Sequence, residues 1–309
     1  MTGLDDSTTR RHKWARPDDG TTRQECRRVD VSVLSVESSS RRVVESRLIA
    51  LLLTAFLTIA VCGAQEPFRF VQITDTHRGM SLHADRLTQA IDQINALPFP
   101  IAFVVHTGDF SSDNLRNAGV AAAISNDLAR LNVPVLKVAG NHDIIPKHLK
   151  ATVAAYTNHL GPLCFLYETN GVRFLGIFTE PLRKEYAIEG YDPLGWLGEQ
   201  LEANPTMPTI VVHHAPDTED FYNGKIVNDW PEDTQTAWRD TLKRGKVEAI
   251  IAGHFHRDEL HFNEDDGIPT YVAAGMASFW GRQGTFRIYT YHKGRLSYQT
   301  VYIDDPKTE

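Results

Sequence analysis

The sequence predicts an α/β domain in which two mixed β-sheets pack together and helices cover them. Three observations carry that prediction. From Phe68 onward, apolar runs of strand length alternate with segments whose apolar residues recur at helical spacing. Past His256 the chain turns all-β, and no internal repeat or linker divides it after residue 68. A chain of 309 residues with 42% hydrophobic and 23% charged side chains can bury a sizeable core.

The elements follow in order. Phe70–Thr74 reads as a buried strand, and Leu87, Ile91 and Ile94 mark a helix behind it. Ile101–Thr107 is the next strand, followed by a helix carrying Val120, Ile124, Leu128 and Leu131. Pro134 ends that helix and opens the strand Val135–Ala139. A short helix is expected around Lys147–His159. Cys164–Glu168 and Val172–Phe178, joined at Asn170-Gly171, predict a hairpin. Pro193–Ala203, with Trp196, Leu197 and Leu201, reads as a helix. Thr209–Val212 is a strand, followed by a long polar loop, Pro216–Pro231, and a helix near Glu232–Arg244. Val247–Ala252, Pro269–Ala274, Thr285–Tyr291 and Leu296–Ile303 complete the strands, the last two joined at Lys293-Gly294.

The first 67 residues differ from the rest. Residues 1–47 are rich in Ser, Thr, Arg and Asp without periodicity, which predicts disorder or an extension upstream of the true start. Leu48–Cys62 is an uncharged apolar run preceded by Arg41, Arg42 and Arg47. It is shorter than the roughly 20 residues of a spanning helix. With Cys62-Gly63-Ala64 behind it, the 48–64 segment predicts a signal peptide or a membrane anchor, hence an exported (periplasmic or extracellular) or membrane-tethered protein. N-terminal sequencing of material from the native host is expected to begin near Gln65 if the segment is cleaved. A full-length, soluble cytoplasmic protein would contradict both versions.

Residues 1–47 carry ten basic and eight acidic side chains and 48–64 carry none, so the net charge of −7 for the chain becomes −9 for 65–309. That sign argues against a specific nucleic-acid partner. The three cysteines, Cys26, Cys62 and Cys164, form no disulfide framework and have no zinc-site spacing. Removal of the N-terminal segment leaves Cys164 alone, an exported domain without a disulfide.

Five apolar runs end in polar residues able to bind a metal. Asp75 and His77 follow the first strand, Asp109 the second, and Asn141-His142-Asp143 the third. His213-His214 follow Val212, and His254 and His256 follow Ala252. One such end is an ordinary polar turn, but open α/β sheets place their chemistry at strand ends. Asp75, His77, Asp109, Asn141, His213, His254 and His256 offer oxygen and nitrogen without thiolate, a set that suits Zn, Mn or Fe. Seven donors exceed the needs of one tetrahedral site, and a pair of ions bridged by a carboxylate uses them all. The other histidines, including His106 and His214, are read as non-ligands.

The order D-x-H, G-D, G-N-H-D, H-H and G-H-x-H resembles the calcineurin-like metallophosphoesterase superfamily, over essentially all of Phe68–Ile303. The resemblance implies a four-layer αββα sandwich as a catalytic domain over 68–304. It also implies two divalent or trivalent metal ions, Fe, Mn or Zn, at the strand ends. Carried over by motif, Asp75, His77 and His256 would hold one ion, Asn141, His213 and His254 the other, and Asp109 would bridge. His214 matches a neighbour of the ligand, and His142 a histidine that faces the phosphoryl group and leaving oxygen. Asp143 has two readings, orienting a histidine or capping the next helix. The activity implied is hydrolysis of a small-molecule phosphomonoester or phosphodiester by a metal-bridging hydroxide, with His142 assisting the leaving group.

Two departures narrow the subfamily. Ser112 stands where purple acid phosphatases have a metal-binding tyrosine, and Gly108–Asn114 lacks the G-D-x-x-D-R-G of protein-serine/threonine phosphatases. The HHAP and GHFH stretches look closest to bacterial cyclic-nucleotide phosphodiesterase-like proteins and exported phosphoesterases. The rival class is a non-catalytic, metal-bound binding scaffold on the same fold, like the retromer subunit of this superfamily. It predicts eroded ligands or loss of the histidine after Asn141, and neither is seen.

Overall fold

The computed structural model describes Arg27–Arg28 and residues 66–79, 83–222, 224–277 and 281–303. Arg27–Arg28 forms a two-residue strand, β1. The domain then runs β2 (Phe68–Ile73), α1 (His83–Asn95), β3 (Val104–His106), α2 (Ala118–Leu128) and β4 (Val135–Lys137). After the 3-10 turn Pro146–His148 come α3 (Leu149–His159), β5 (Cys164–Thr169), β6 (Val172–Ile177), α4 (Glu180–Arg183), α5 (Pro193–Ala203) and β7 (Thr209–Val212). The rest is β8 (Asp220–Tyr222), β9 (Lys225–Val227), α6 (Glu232–Leu242), β10 (Val247–Ala252), β11 (Glu259–Phe262), β12 (Pro269–Val272), β13 (Thr285–His292) and β14 (Arg295–Tyr302).

One sheet has the order β1-β5-β6-β7-β10-β12-β11 and the other β14-β13-β2-β3-β4. In the first, β6, β7, β10 and β12 are parallel; in the second, β2, β3 and β4 are. Side chains alternate between the faces of each strand. Phe68 and Phe70 of β2 point into the layer between the sheets, where Phe70 stacks on Phe103 at 4.9 Å and meets Phe174 edge-on at 5.2 Å. Val71 and Ile73 of the same strand pack outward with Ile91, Ile124 and Tyr156 of the covering helices. On the other sheet Val211 and Ile250 pack outward with Leu197, Trp238 and Leu242. Burial on both faces explains why these strands read as continuous apolar runs.

The αββα layering agrees with the sequence. Some elements differ from expectation, the one-turn helix α4 among them. The 216–231 segment contains the hairpin β8–β9, and β11 pairs antiparallel to β12 where no strand was expected. Cys164 is disulfide-bonded in the full chain; the expectation of a lone thiol concerns residues 65–309 alone. The expectations for 1–47 and 48–64 fall outside the described residues, Arg27–Arg28 apart. Among the described residues no helix is long and apolar enough to cross a membrane.

Candidate metal centre

The parallel strands of both sheets point their carboxyl ends to one rim. There the loops continue the ladder: Asp75 N donates to Gly108 O (3.0 Å), His77 N to Asp109 O (3.0 Å) and Gly253 N to His214 O (2.9 Å). Beneath them Gln72, buried between the sheets, donates to Thr107 Oγ1 (2.9 Å) and Ala252 O (2.8 Å) and accepts from Tyr289 OH (2.9 Å). This side chain fixes the distance between the Asp109 and His254 loops across the sandwich.

The loops are tightly bent. Asp75, His77, Asp109, His254 and His256 have φ of 51°, 42°, 57°, 72° and 54°. Asp and His tolerate this region better than most residues, but each instance costs about 1–3 kcal/mol and persists where packing enforces it. Close approach is the second constraint. A Cβ at Gly140 would lie 2.2 Å from Asp109 Oδ1, and Gly108, at φ 101°, would press one onto the His214 ring.

Two clusters result. Asp75, His77 and His256 converge in one, and Asp109, His214 and His254 in the other. Asp109 Oδ2 lies 3.1 Å from His214 Nε2 and 3.6 Å from His77 Nε2, so it faces both. Asn141 Oδ1 joins the second cluster, 3.2 Å from His214 Nε2. Asp75 Oδ1 is buried with no hydrogen-bond partner among the described residues, and His256, His77 and His214 each present Nε2 to it at 3.4, 3.9 and 4.0 Å. A buried carboxylate oxygen ringed by imidazole nitrogens calls for a cation. The absence of thiolate suits Zn, Mn or Fe.

The electrostatics agree. Burial lowers the His214 pKa, but the charge and hydrogen bond of Asp109 outweigh it and raise it to about 10. Without a bound ion this shift favours the imidazolium. A metal ion must displace that proton, so loading is expected to tighten as pH rises. Burial lowers His77 to about 4.

One assignment is corrected. His213 was expected as the ligand and His214 as its neighbour, and their positions are reversed. Alternation continues past β7, so His213 follows Val211 to the outer face, where its ring meets Trp238 at 5.2 Å and Trp230 at 6.1 Å. Burial lowers its pKa to about 3. His214→Ala is therefore expected to empty the Asp109 cluster. His213→Phe should change metal affinity by less than the roughly 10–100-fold of an outer-shell change. Titration calorimetry with manganese measures both.

His142 and Asp143 separate as well. Asp143 is fully buried and, among the described residues, its hydrogen bonds are to no histidine ring: it accepts from Gly140 N (2.9 Å), Ser111 N (3.0 Å) and Ser111 Oγ (3.3 Å). It clamps two loops together and caps no helix, which corrects both readings. Burial, then the charge of Asp109, raise its pKa to about 7. His142 is half-exposed beside His77, its backbone N donating to Asp109 Oδ1 at 2.8 Å. Its Nδ1 pairs with Asp113 Oδ1 at 2.8 Å. Burial pulls its pKa down, but Asp109 and the Asp113 hydrogen bond give a net upward shift. Asp113 escaped the sequence reading as a site residue, although it lies four residues after Asp109. His106 keeps its non-ligand reading: it stacks on Phe110 at 3.6 Å and its Nδ1 accepts from Gly108 N.

The fold is shared with a dimetal phosphatase from Danio rerio (TM-score 0.52, 14% identity, 77% of this chain and 100% of that one). It is shared too with GAP50, the anchor in the inner membrane complex of Plasmodium (TM-score 0.53, 16% identity, 78% and 90%). A probable cyclic nucleotide phosphodiesterase of Rhodopseudomonas palustris is 28% identical over 224 residues, 68% of this chain and 78% of its own length. Serine/threonine-protein phosphatase CPPED1 of Mus musculus is 26% identical over 228 residues, 62% and 70%. The strand-end loops that carry the two clusters lie within residues 68–258, which match the calcineurin-like phosphoesterase model, and the chain belongs to that family.

Proposed function

We propose that the chain is a metal-dependent phosphoesterase that hydrolyses a small-molecule phosphoester at a dinuclear centre. What supports the reading is one arrangement: two donor clusters meet at Asp109, with the half-exposed His142 beside them. Asp75, His77 and His256 would hold one ion, and His214, His254 and Asn141 the other, with Asp109 between. Ions bound there supply Lewis acidity to phosphoryl oxygens and make water acidic enough to attack at neutral pH.

The chain's own groups do the rest. Asp113 fixes the His142 ring through Nδ1, which leaves Nε2 to give a proton to an oxygen departing from phosphorus. Asp143 keeps the loop bearing Asn141 and His142 against the loop bearing Asp109 and Ser111. The cavity against the clusters, about 510 Å³, has the size of a small-ligand site. A screen of metal-loaded protein on nitrophenyl phosphate, bis-nitrophenyl phosphate, cyclic nucleotides and phospholipid head groups tests the proposal. Hydrolysis of at least one, lost on chelation, is expected. Metal binding without turnover on any would favour the scaffold class.

A further inference from the structure

The cavity is also lined by charged residues outside the clusters, Arg183, Asp229, Asp220 and Arg257. Arg183 ends α4 and is buried. Glu180, also buried, holds it in a bidentate pair, with Nε to Oε1 at 2.7 Å and Nη2 to Oε2 at 2.8 Å. Nη1 donates to Asp229 Oδ2 at 2.6 Å. Three of the five guanidinium N–H groups are used, so each Nη keeps one hydrogen.

The two carboxylates differ in freedom. Glu180 shares a helical turn with Arg183 and is a rigid mount. Asp229 is half-exposed and shared with Lys184 at 3.4 Å. Its neighbours pin the main chain: Asn228 Oδ1 accepts from Trp230 N, and Trp230 is buried against Trp238. The Asp229 carboxylate can therefore swing into water without backbone movement. A pair with an exposed partner is weak, whereas Arg recognises phosphate strongly through its fork.

We infer that Arg183 reads the terminal phosphate of a phosphomonoester and that Asp229 holds an Nη1 hydrogen until the phosphate displaces it. The inference rests on the phosphoesterase reading above. A diester has two unesterified oxygens, and ions held at the two clusters would take both. A monoester dianion has a third, and Arg183 is a buried cation that lines the same cavity. Asp229, a negative charge beside the incoming dianion, opposes binding until it turns away.

The test uses the full chain loaded with manganese. Calorimetry with inorganic phosphate is expected to show binding weakened about 10–100-fold in Arg183→Gln and tightened several-fold in Asp229→Asn, about the effect of gaining or losing a charged hydrogen bond. The kcat/KM of Arg183→Gln should fall by the same factor on nitrophenyl phosphate and by less than about threefold on bis-nitrophenyl phosphate. Arg183→Gln leaves Glu180 buried without its partner, so Glu180→Gln/Arg183→Gln carries the same test without that charge. Unchanged phosphate affinity in both Arg183 variants, weaker binding in Asp229→Asn, or equal loss on both esters would overturn the inference. Phosphate binding in the expected pattern without cleavage of either ester would overturn the hydrolase reading and support Arg183 as the anion reader.

Discussion

Asp109→Asn is expected to lower turnover by about 10³-fold or more and to reduce metal occupancy at both clusters. Asp109 is the carboxylate whose Oδ2 faces His214 at 3.1 Å and His77 at 3.6 Å, while Oδ1 is held by the His142 backbone at 2.8 Å. The amide keeps the shape and the Oδ1 acceptor, loses the charge, and turns the Oδ2 acceptor that faces His214 and His77 into an N–H donor. Metal centres contribute several kcal/mol of charge stabilisation, and about 1.4 kcal/mol is tenfold in rate. His256→Ala is the contrast: it should disturb the Asp75 cluster and spare the other. The metal-free fold should not weaken in Asp109→Asn, because its buried carboxylate is balanced there by the His214 imidazolium, and the neutral amide removes the need for one. Elemental analysis and apo-protein melting read the two halves. Wild-type metal content in the variant would remove Asp109 from the centre.

Much of this architecture is legible because strand and site share a signal. Runs such as Thr209–Val212 are buried on both faces, and their polar ends stand out by contrast. The His213–His214 reversal was legible in principle. Val212 continues the inward set of Ile210, so the residue two beyond it, His214, had to face between the sheets. Motif matching obscured that alternation. The β8–β9 hairpin also had a signal, Asn223-Gly224 between Phe221-Tyr222 and Lys225-Ile226. Its exposed, charged flanks made it read as a loop.

Other parts leave no local trace. Arg183 sits in no motif, and its role depends on Asp229, 46 residues away. Asp113 belongs to the site because its loop is pinned under the His142 loop, with Asp113 N donating to His142 O at 3.2 Å. Gln72 reads as a polar interruption in a strand, and only the sandwich reveals that it bonds both sheets.

The Asp113 pairing gives the second large effect its form. His142→Asn should slow alkyl or nucleotide esters by about 10²–10⁴-fold, the usual contribution of general acid catalysis, and nitrophenyl esters much less. Nitrophenolate departs readily as an anion, whereas an alkoxide leaves only with a proton. His142 lines the cavity, and its net upward pKa shift favours the protonated form that can supply one. Asp113→Asn should give a smaller loss with the same leaving-group dependence, because it loosens the ring without removing it. Metal content should stay at the wild-type level in both variants, since the ring is held by Asp113 and lies in neither donor cluster. Equal slowing of all esters would assign His142 to phosphoryl binding, and loss of metal would place it among the ligands.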